Sequence, residues 1–310
     1  MELQNAKRIF DDAIRNKYGV GAFNFVNLET LKSILESAEE NKSPVIVQCS
    51  TGAIKYAGVD TLVAMCKSYA EKMTVPVCLN LDHGATFEDC KKCIDAGFTN
   101  VMIDASHLPY EENIEVTKRV VEYAHSKGVT VEAEIGVLAG VEDEVSATED
   151  QAKYTDPKQA YEFVKATGVD SLAIAIGTSH GTVKFKGEAK LRFDILEEVE
   201  KLLPFFPIVL HGASSIPQDM VKLAEEYGAT LSGSCGIPEE MLREACSHNV
   251  CKVNVDSDLR LSFTAGIRKS LAENPSNVDM RKYNLEGMKL IKQVVKHKMD
   301  NVFGSSNRVM

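Results

Sequence analysis

Three of the seven histidines share one sequence context, and that context is typical of a metal site. His83, His180 and His211 each stand at or just after the end of an apolar run, and each is followed by a glycine. Apolar runs of this length are typical of buried parallel strands. Neutral imidazoles are common metal ligands, and three of them with one open coordination position make a catalytic zinc site. We therefore predict that these three histidines bind one Zn²⁺.

Acidic residues close to the same strand ends could move protons or support the metal. Asp82 directly precedes His83, and strand alternation would point the two side chains in different directions, which leaves Asp82 available as an acid or base. Asp104 and Glu134 end neighbouring strands, where they could hold a second cation or orient the imidazoles. Glu142, in an acidic loop, could supply a second proton-transfer group.

The elements that would carry these residues alternate regularly along the chain. The apolar runs predict eight strands at 20–25, 45–49, 75–81, 101–104, 129–135, 171–176, 207–210 and 251–255. Helical spacing of apolar residues predicts helices at 1–18, 28–42, 59–73, 86–97, 111–127, 157–167, 193–203, 217–227 and 258–273. This count and even spacing favour a closed α/β fold, the (β/α)₈ TIM barrel, over an open doubly wound sheet.

Such a barrel would bring the ends of all its strands to one rim. Polar residues stand at or just after those ends, namely Asn24, Ser50, Asp82, Asp104, Glu134, His180, His211 and Asn254. Three stretches exceed a minimal barrel: the acidic loop 136–156, the segment 229–250 with a short helix, and the extension 274–310. The acidic loop is either a lid over the site or a solvated surface loop. No shift in composition marks a linker, so we expect residues 1–310 to form one domain.

Turns of small residues follow several strands and could bind anions. Gly181, the turn 212–215 and the turn 254–257 follow the last three strands, where barrels commonly bind phosphate with backbone N–H groups. Lys184 and Arg260 lie close in sequence to these turns, and Ser50 opens another small turn. Two anion sites beside a metal would suit a substrate that carries a phosphate at each end.

Composition restricts the partners and the compartment. The formal charge of −10 argues against a nucleic acid or an anionic membrane as partner, and no apolar run approaches the ~18 residues of a membrane span. The eight cysteines are scattered, unlike a disulfide framework. Cys90 and Cys93 form a Cys-x-x-Cys inside a helical pattern without a second pair, which favours helix packing over metal binding. Because the first residues lack an export signal, we expect a cytoplasmic enzyme.

Five motifs in order resemble those of the class II, metal-dependent fructose-1,6-bisphosphate aldolases. They occupy 80–84, 131–143, 177–181, 210–215 and 254–260, and the similarity runs from about residue 22 to the C-terminal helix. The resemblance implies a Zn²⁺ enzyme of glycolysis and gluconeogenesis. Such an enzyme reversibly cleaves fructose 1,6-bisphosphate into dihydroxyacetone phosphate and glyceraldehyde 3-phosphate.

The resemblance also implies roles for individual residues. The zinc ligands are matched by His83, His180 and His211, and the second-metal positions by Asp104 and Glu134. Asp82 matches the acid/base at the C4 hydroxyl, and Glu142 matches the loop glutamate that moves the C3 proton. Val141 is a departure, because some members carry a second acidic residue there, and this leaves Glu142 alone in its role.

Substrate contacts and assembly are implied in the same way. The triose-phosphate and hydroxyl-binding turns are matched by Gly181, Gly212, Ser214, Asn254, Asp256 and Ser257. Positions near the far phosphate are matched by Asn24, Ser50 and Arg260. Arg281 resembles an arginine that a neighbouring subunit contributes, which implies a homodimer. The sequence leaves open a second divalent cation, a monovalent cation and an assembly larger than a dimer.

Four alternatives stay open at this level. A Schiff-base aldolase would need a lysine at an inward strand end, and the strand ends offer Glu134 and His180 but no lysine. A zinc hydrolase would have little use for two phosphate sites. A non-catalytic sugar-phosphate-binding barrel would not need a mobile glutamate. A tagatose 1,6-bisphosphate aldolase of the same family would differ only in the C4 configuration of its substrate.

Overall fold

The barrel strands form where the sequence predicts them. The structure, a computed structural model, describes residues 1–137, 140–142, 145–147, 153–179, 191–231 and 233–309, with only the backbone for 140–142 and 145–147. The barrel strands are β1 (Val20–Asn24), β2 (Val45–Ser50), β3 (Val77–Gly84), β4 (Asn100–Ile103), β5 (Thr130–Ile135), β8 (Ser171–Ile174), β9 (Ile208–Leu210) and β10 (Val250–Val255). An antiparallel hairpin of β6 (Gly140–Glu142) and β7 (Val145–Ala147) follows β5.

The eight barrel strands are parallel and closed. Their order is β1-β2-β3-β4-β5-β8-β9-β10, and β10 pairs back to β1 through Val20 opposite Lys252 and Phe23 opposite Val255. The predicted (β/α)₈ TIM barrel is therefore confirmed. Because all strands run in the same direction, their carboxyl ends meet at one rim, as the sequence analysis requires.

Helices follow the strands and cover the outside of the barrel. They are α1 (Ala6–Asn16), α2 (Leu28–Glu40), α3 (Thr51–Ala57), α4 (Val59–Ala70), α5 (Phe87–Ala96), α6 (Tyr110–His125), α7 (Pro157–Thr167), α8 (Phe193–Leu202), α9 (Gln218–Glu226), α10 (Glu239–Cys246), α11 (Ser257–Glu273) and α12 (Met280–His297). A π-helical turn, Lys298–Phe303, follows α12. All the predicted helices form, with small shifts at their ends. The sequence analysis missed α3 and the β6–β7 hairpin.

Local capping fixes where several helices begin. The Thr86 hydroxyl accepts a hydrogen bond from the Asp89 amide (3.2 Å) and starts α5. Asp156 does the same for α7, where its carboxylate accepts from the amides of Lys158 and Gln159 (both 2.9 Å). Among the described helices, none combines the length and the apolar character needed to cross a membrane.

Helix α1 closes the end of the barrel opposite the predicted site. Its buried residues, from Ala6 to Ile14, pack against the first residues of β1, β2, β3 and β10 in one apolar cluster. The amide of Ala6 also donates to the hydroxyl of Thr130, the first residue of β5 (3.1 Å). The N-terminal helix is thus anchored to the strand starts by both apolar packing and a hydrogen bond.

The barrel interior is polar, in contrast to the apolar layer between strands and helices. Glu132 on β5 and Lys252 on β10 are not neighbours in the sheet, yet their side chains lie 2.9 Å apart, so both point inward. Other buried polar residues on the strands are Gln48, Asn80, Asn100 and Thr130. Their alternating neighbours Val47, Leu79, Val101 and Val131 belong to the main apolar core. Strand alternation therefore separates an apolar outer face from a hydrogen-bonded interior.

Candidate active site

The end of β3 places two functional side chains on the same side. His83 adopts a left-handed backbone conformation (φ +50°), and the pairing of β3 with β4 shifts in register between Leu81 and Gly84. A positive φ is uncommon for a residue other than glycine, and such strain concentrates at functional sites. The donor atoms of Asp82, His83 and His211 consequently lie within 4.8 Å of one another. The expectation that alternation separates Asp82 from His83 is therefore wrong, because the alternation is interrupted here.

Two imidazoles face each other across the barrel mouth. The Nε2 atom of His83 and the Nδ1 atom of His211 are 2.8 Å apart, and both rings are buried. The other nitrogen of each ring contacts a carboxylate: His83 Nδ1 lies 2.7 Å from Asp104, and His211 Nε2 lies 2.7 Å from Glu132. A carboxylate behind each ring is the arrangement found around metal-binding histidines, where it fixes the tautomer and the ring orientation.

The charges around these rings suit a cation. Burial, together with the charge of His83, lowers the pKa of His211 despite the adjacent Glu132, so its imidazole is neutral at pH 7. Burial raises the pKa of Asp104, but the hydrogen bond and charge of His83 outweigh it and bring the pKa below its ordinary value. The pKa of Glu132 is likewise lowered, because the ammonium of Lys252 and the contact with His211 outweigh burial. A neutral imidazole and ionised carboxylates are the states that metal binding requires.

A second group of donors adjoins the first. The donor atoms of His83, Asp104 and Glu134 lie within 4.8 Å of one another, and all three residues are buried. Asp104 also accepts hydrogen bonds from the amide (3.2 Å) and the hydroxyl (2.7 Å) of Ser106, which fix its carboxylate. Imidazole and carboxylate donors in these two groups fit a divalent transition metal.

Asp82 is held by two amide side chains. It is fully buried, and its Oδ2 atom accepts from Asn24 (2.7 Å) while its Oδ1 atom accepts from Asn254 (3.0 Å). The Nδ2 atom of Asn254 also lies 3.1 Å from His211 Nδ1. Asn24 and Asn254 are both predicted substrate-binding residues, and Asn254 connects the predicted acid/base to the imidazole of His211.

A cavity of about 280 Å³ adjoins this cluster. Its lining includes four predicted substrate-binding residues: Asn24, Ser50, Asp256 and Arg260. The guanidinium of Arg260 is held by Asp256, with Nη2 to Oδ2 at 2.7 Å and Nε to Oδ1 at 2.9 Å. Ser50 begins α3, where its hydroxyl accepts from the Ala53 amide (3.3 Å). The cavity thus contains a guanidinium and a helix start, which both favour an anion.

The turn after β9 is tightly packed. Gly212 has φ +58°, and a Cβ atom there would lie 2.7 Å from the carbonyl carbon and oxygen of Ser179, so no side chain fits. Ser214 is buried, and its carbonyl accepts from the Ile237 amide (3.2 Å). Ser257 lies at the start of α11.

A buried ion pair anchors this turn from below. The carboxylate of Asp258 accepts from the amides of Ser215 (3.2 Å) and Ile216 (2.8 Å) and pairs with Lys298 at 2.8 Å. Lys298 is fully buried and begins the π-helical turn after α12. The C-terminal extension therefore supports a predicted phosphate-binding turn.

The described residues do not include every predicted site residue. His180, Gly181 and Lys184 lie outside the described residues, and so does the side chain of Glu142, whose backbone ends β6. The side chain of Arg281 is 87% exposed and pairs with Asp279 at 2.9 Å. Its contribution to a neighbouring subunit stays a prediction.

Sequence reasoning missed two interior residues that touch the site. Lys252 is fully buried, with its Nζ atom 2.9 Å from Glu132 and 2.8 Å from Asn254. It is the third residue of β10, so the expectation that the strand ends offer no lysine did not cover it. A signal was available, because Glu132 and Lys252 each stand two residues before an inward-facing predicted residue, Glu134 and Asn254. Residues two apart on a strand share a face.

Comparison with known proteins identifies the family. The family described as "Fructose-bisphosphate aldolase class-II" matches residues 4–308. The chain belongs to the class II fructose-bisphosphate aldolases. A relative named fructose-bisphosphate aldolase from Helicobacter pylori is 49% identical over 308 residues, which cover 99% of this chain and 100% of the relative. One of the same name from Geobacillus stearothermophilus is 45% identical and covers 99% of both chains.

The solved structures agree with this family. The YdjI aldolase from Escherichia coli K12 superposes with a TM-score of 0.80 at 31% identity, over 99% of this chain and 100% of that one. Membership of a metal-dependent lyase family confirms the resemblance inferred from the five motifs. It also gives a chemical reason for two buried, carboxylate-backed imidazoles beside a buried acid.

Proposed function

We propose that the chain is a class II aldolase that reversibly cleaves fructose 1,6-bisphosphate into dihydroxyacetone phosphate and glyceraldehyde 3-phosphate. The observation that carries this proposal is the meeting of Asp82, His83 and His211 within 4.8 Å at the mouth of the barrel. Breaking the C3–C4 bond requires a proton to leave the C4 hydroxyl and negative charge to accumulate next to the C2 carbonyl. A buried acid beside a cation site serves both needs.

The metal is assigned to imidazole donors. His83 and His211, whose Nε2 and Nδ1 atoms face each other, would hold it, and His180 is the third predicted ligand. When bound, a divalent cation supplies Lewis-acid stabilisation of the charge that develops on the substrate's carbonyl oxygen. Zinc is favoured because the donor set is rich in imidazole, and Asp104 with Glu134 could hold a second cation.

The proton transfers are assigned to two carboxylates. Asp82 removes the C4 hydroxyl proton as the C3–C4 bond breaks, so that C4 becomes a carbonyl and the bonding electrons stay on the C3 side. Glu142 then delivers a proton to C3 and completes dihydroxyacetone phosphate. The hydrogen bonds from Asn24 to Oδ2 and from Asn254 to Oδ1 fix the orientation of the Asp82 carboxylate. Positioned groups of this kind contribute roughly 10²–10⁴-fold each.

The two phosphates are assigned to opposite sides of this centre. The turns at Gly212–Ser214 and Asn254–Ser257, together with Gly181, bind the triose phosphate that becomes dihydroxyacetone phosphate. The cavity that contains Ser50 and Arg260 receives the far phosphate. Lys184 adds positive charge on the triose side.

Further features support a homodimeric assembly and a cytoplasmic location. A homodimer is supported by exposed apolar side chains near Arg281, which are Val278 (91% exposed), Met280 (62%) and Leu285 (59%). Seven cysteines are buried free thiols, which suits the reducing cytoplasm, where an aldolase of glycolysis would act. One domain spanning residues 1–310 fits the single closed barrel.

Cleavage of two C4-epimeric substrates tests the proposal. The purified protein is assayed with fructose 1,6-bisphosphate and with tagatose 1,6-bisphosphate, before and after treatment with a chelator and after restoration of Zn²⁺. We expect preferential cleavage of the fructose epimer, loss of activity on chelation and recovery with the metal. We also expect no inactivation by borohydride in the presence of substrate.

Two outcomes would contradict this assignment. Activity that survives chelation and is lost to borohydride would indicate a Schiff base, for which Lys252 is the buried candidate. Preference for tagatose 1,6-bisphosphate would be consistent with the proposed mechanism but would contradict the assigned substrate. Replacement of Lys252 with Met distinguishes a Schiff-base aldolase from a metal-dependent one, since the Schiff-base enzyme would lose all turnover and the metal enzyme would retain part of it.

A further inference from the structure

A continuous line of hydrogen bonds crosses the barrel interior from the N-terminal helix to Asp82. We call its five polar side chains the amide ladder: Thr130, Asn100, Asn80, Gln48 and Asn24. They come from β5, β4, β3, β2 and β1, which are consecutive strands of the barrel. The ladder begins at the Ala6 amide and ends at Asp82 Oδ2, and its six donor–acceptor distances run from 2.6 to 3.1 Å. All five side chains are buried.

The ladder runs along the barrel axis, from the end that α1 closes to the end that carries the site. Thr130 is the first residue of β5, at the end that α1 closes, and Asn24 is the last residue of β1, at the end that carries the site. Tilted strands in a closed barrel make this possible, because each inward position lies level with a different position on the next strand. The ladder therefore links the bottom of the barrel to the predicted acid/base.

Its direction is set at the Asp82 end. At the lower end the Thr130 hydroxyl accepts from the Ala6 amide (3.1 Å) and donates to Asn100 Oδ1 (2.6 Å). An ionised carboxylate can only accept, so Asn24 must turn its NH₂ group toward Asp82. Each amide between them donates upward and accepts from below. Reversing any one amide would place two acceptors or two donors in contact within a buried interior, which is costly.

The other oxygen of Asp82 is held in a similar way. Its Oδ1 atom accepts from Asn254, whose own Oδ1 atom accepts from Lys252 at 2.8 Å. Lys252 can only donate, so this second line also has one possible direction. Two oriented amides, Asn24 and Asn254, thus fix the direction of the Asp82 carboxylate. The line that ends at Asn24 is the ladder, and it begins at residues far from the site.

We propose that the amide ladder is a positioning device for Asp82, and that Thr130, at the opposite end of the barrel, is a positioning residue for the aldol reaction. This inference rests on the proposed function. Without the Thr130 hydroxyl, the Oδ1 atom of Asn100 loses its hydrogen-bond donor inside a buried interior, and the amides of the ladder must shift to relieve that cost. Asp82 would then hold its productive geometry for a smaller fraction of the time, and turnover depends steeply on such geometry.

Replacing Thr130 with Val tests the inference, because valine keeps the shape and removes the hydroxyl. We expect kcat for fructose 1,6-bisphosphate to fall about three- to tenfold and KM to change less than kcat, since Asn24 is the one ladder residue that is also assigned to substrate binding. The Thr130→Ser variant restores the hydroxyl and should return kcat to within twofold of the wild type. The matched control is Thr167→Val in α7, where a buried hydroxyl donates to the Phe163 carbonyl (2.7 Å) and touches neither the ladder nor the site.

A second variant covers the case in which Thr130→Val fails to fold. Ala6 is the first residue of α1, where proline is well tolerated, and the preceding Asn5 is already extended (φ −71°, ψ 167°), as a residue before proline prefers. Ala6→Pro removes the N–H that anchors the ladder and leaves the Thr130 hydroxyl in place, and a smaller fall in kcat of about two- to threefold is expected.

The inference is overturned if the Thr130→Val or Ala6→Pro protein keeps wild-type kcat while its urea midpoint falls as in the Thr167→Val control. The ladder would then be purely structural. A wild-type protein that does not cleave fructose 1,6-bisphosphate would instead refute the proposed function, so the two failures are distinguishable.

Discussion

Replacing Asp82 with Ala is the most direct probe of the proposed proton transfer. The substitution removes the carboxylate and leaves the imidazoles of His83 and His211 in place, so the metal should still bind. Alanine is preferable to asparagine here. Each oxygen of Asp82 accepts from an amide donor, at 2.7 Å from Asn24 and 3.0 Å from Asn254, so an asparagine would turn a third NH₂ group against one of them.

The size of the effect follows from the role assigned to Asp82. A positioned base contributes roughly 10²–10⁴-fold, which corresponds to about 2.7–5.5 kcal/mol in activation free energy. We expect kcat to fall by this factor, with KM changed only a few-fold because the phosphate-binding turns are intact. The space left by the carboxylate is lined by two amide donors and can hold water, which limits the structural cost.

The assay combines turnover, metal content and stability. Steady-state release of triose phosphate gives kcat and KM, elemental analysis gives the bound metal per chain, and urea unfolding gives the midpoint. The control is Asp11→Ala, which removes an exposed carboxylate far from the site in sequence and should leave all three unchanged. An Asp82→Ala protein that binds metal and retains more than a tenth of wild-type kcat would refute the reasoning.

Two further predictions concern the supporting structure. Gly212→Ala should lower the free energy of unfolding by about 1–3 kcal/mol and raise KM, because its Cβ would meet the Ser179 carbonyl at 2.7 Å in a turn with φ +58°. Urea unfolding measures the first effect and steady-state kinetics the second. An unchanged KM would argue against a phosphate-binding turn. The pKa of Glu132 in the folded protein lies below its ordinary value of 4.5. As the pH drops below about 4.5, the unfolded chain takes up a proton at Glu132 that the folded chain does not, so the free energy of unfolding should decrease. Glu132 should contribute a loss of up to about 1.4 kcal/mol per pH unit to the free energy of unfolding, measured by urea unfolding between pH 6 and 3.5, and a Glu132→Gln/Lys252→Met protein should show a shallower slope than the wild type.

The fold could be predicted because its signals are local. Each barrel strand is a short apolar run, and glycines or capping residues mark the intervening helices, as Thr86 does for α5. Helix α3 (Thr51–Ala57) was missed because it is two turns long and has one fully buried residue, Ile54, so no apolar periodicity develops. The β6–β7 hairpin was missed because each strand has three residues, too few for alternation to register.

The candidate site was only partly predictable, because its geometry departs from regular strands. The polar residues at strand ends were found, since closure of the barrel brings those ends together. The orientation of Asp82 was wrong because a single left-handed residue, His83, interrupts the alternation, and no propensity rule places a histidine there. Interior residues such as Gln48 and Glu132 were missed because a polar residue inside an apolar run gives no sign of the partner it will meet across the barrel.

The pairing of Lys252 argues against Schiff-base chemistry in this barrel. A Schiff-base lysine must release its proton and approach a substrate carbonyl, which requires a free amine at the mouth of the barrel. Lys252 instead donates to Glu132 and Asn254 below the imidazoles, and moving it would leave a buried carboxylate without its counter-charge. The same carboxylate orients His211 through Nε2, which turns Nδ1 toward His83. The lysine therefore supports the two imidazoles that would hold the proposed cation, and a cation bound there would stabilise the charge that the proposed reaction develops.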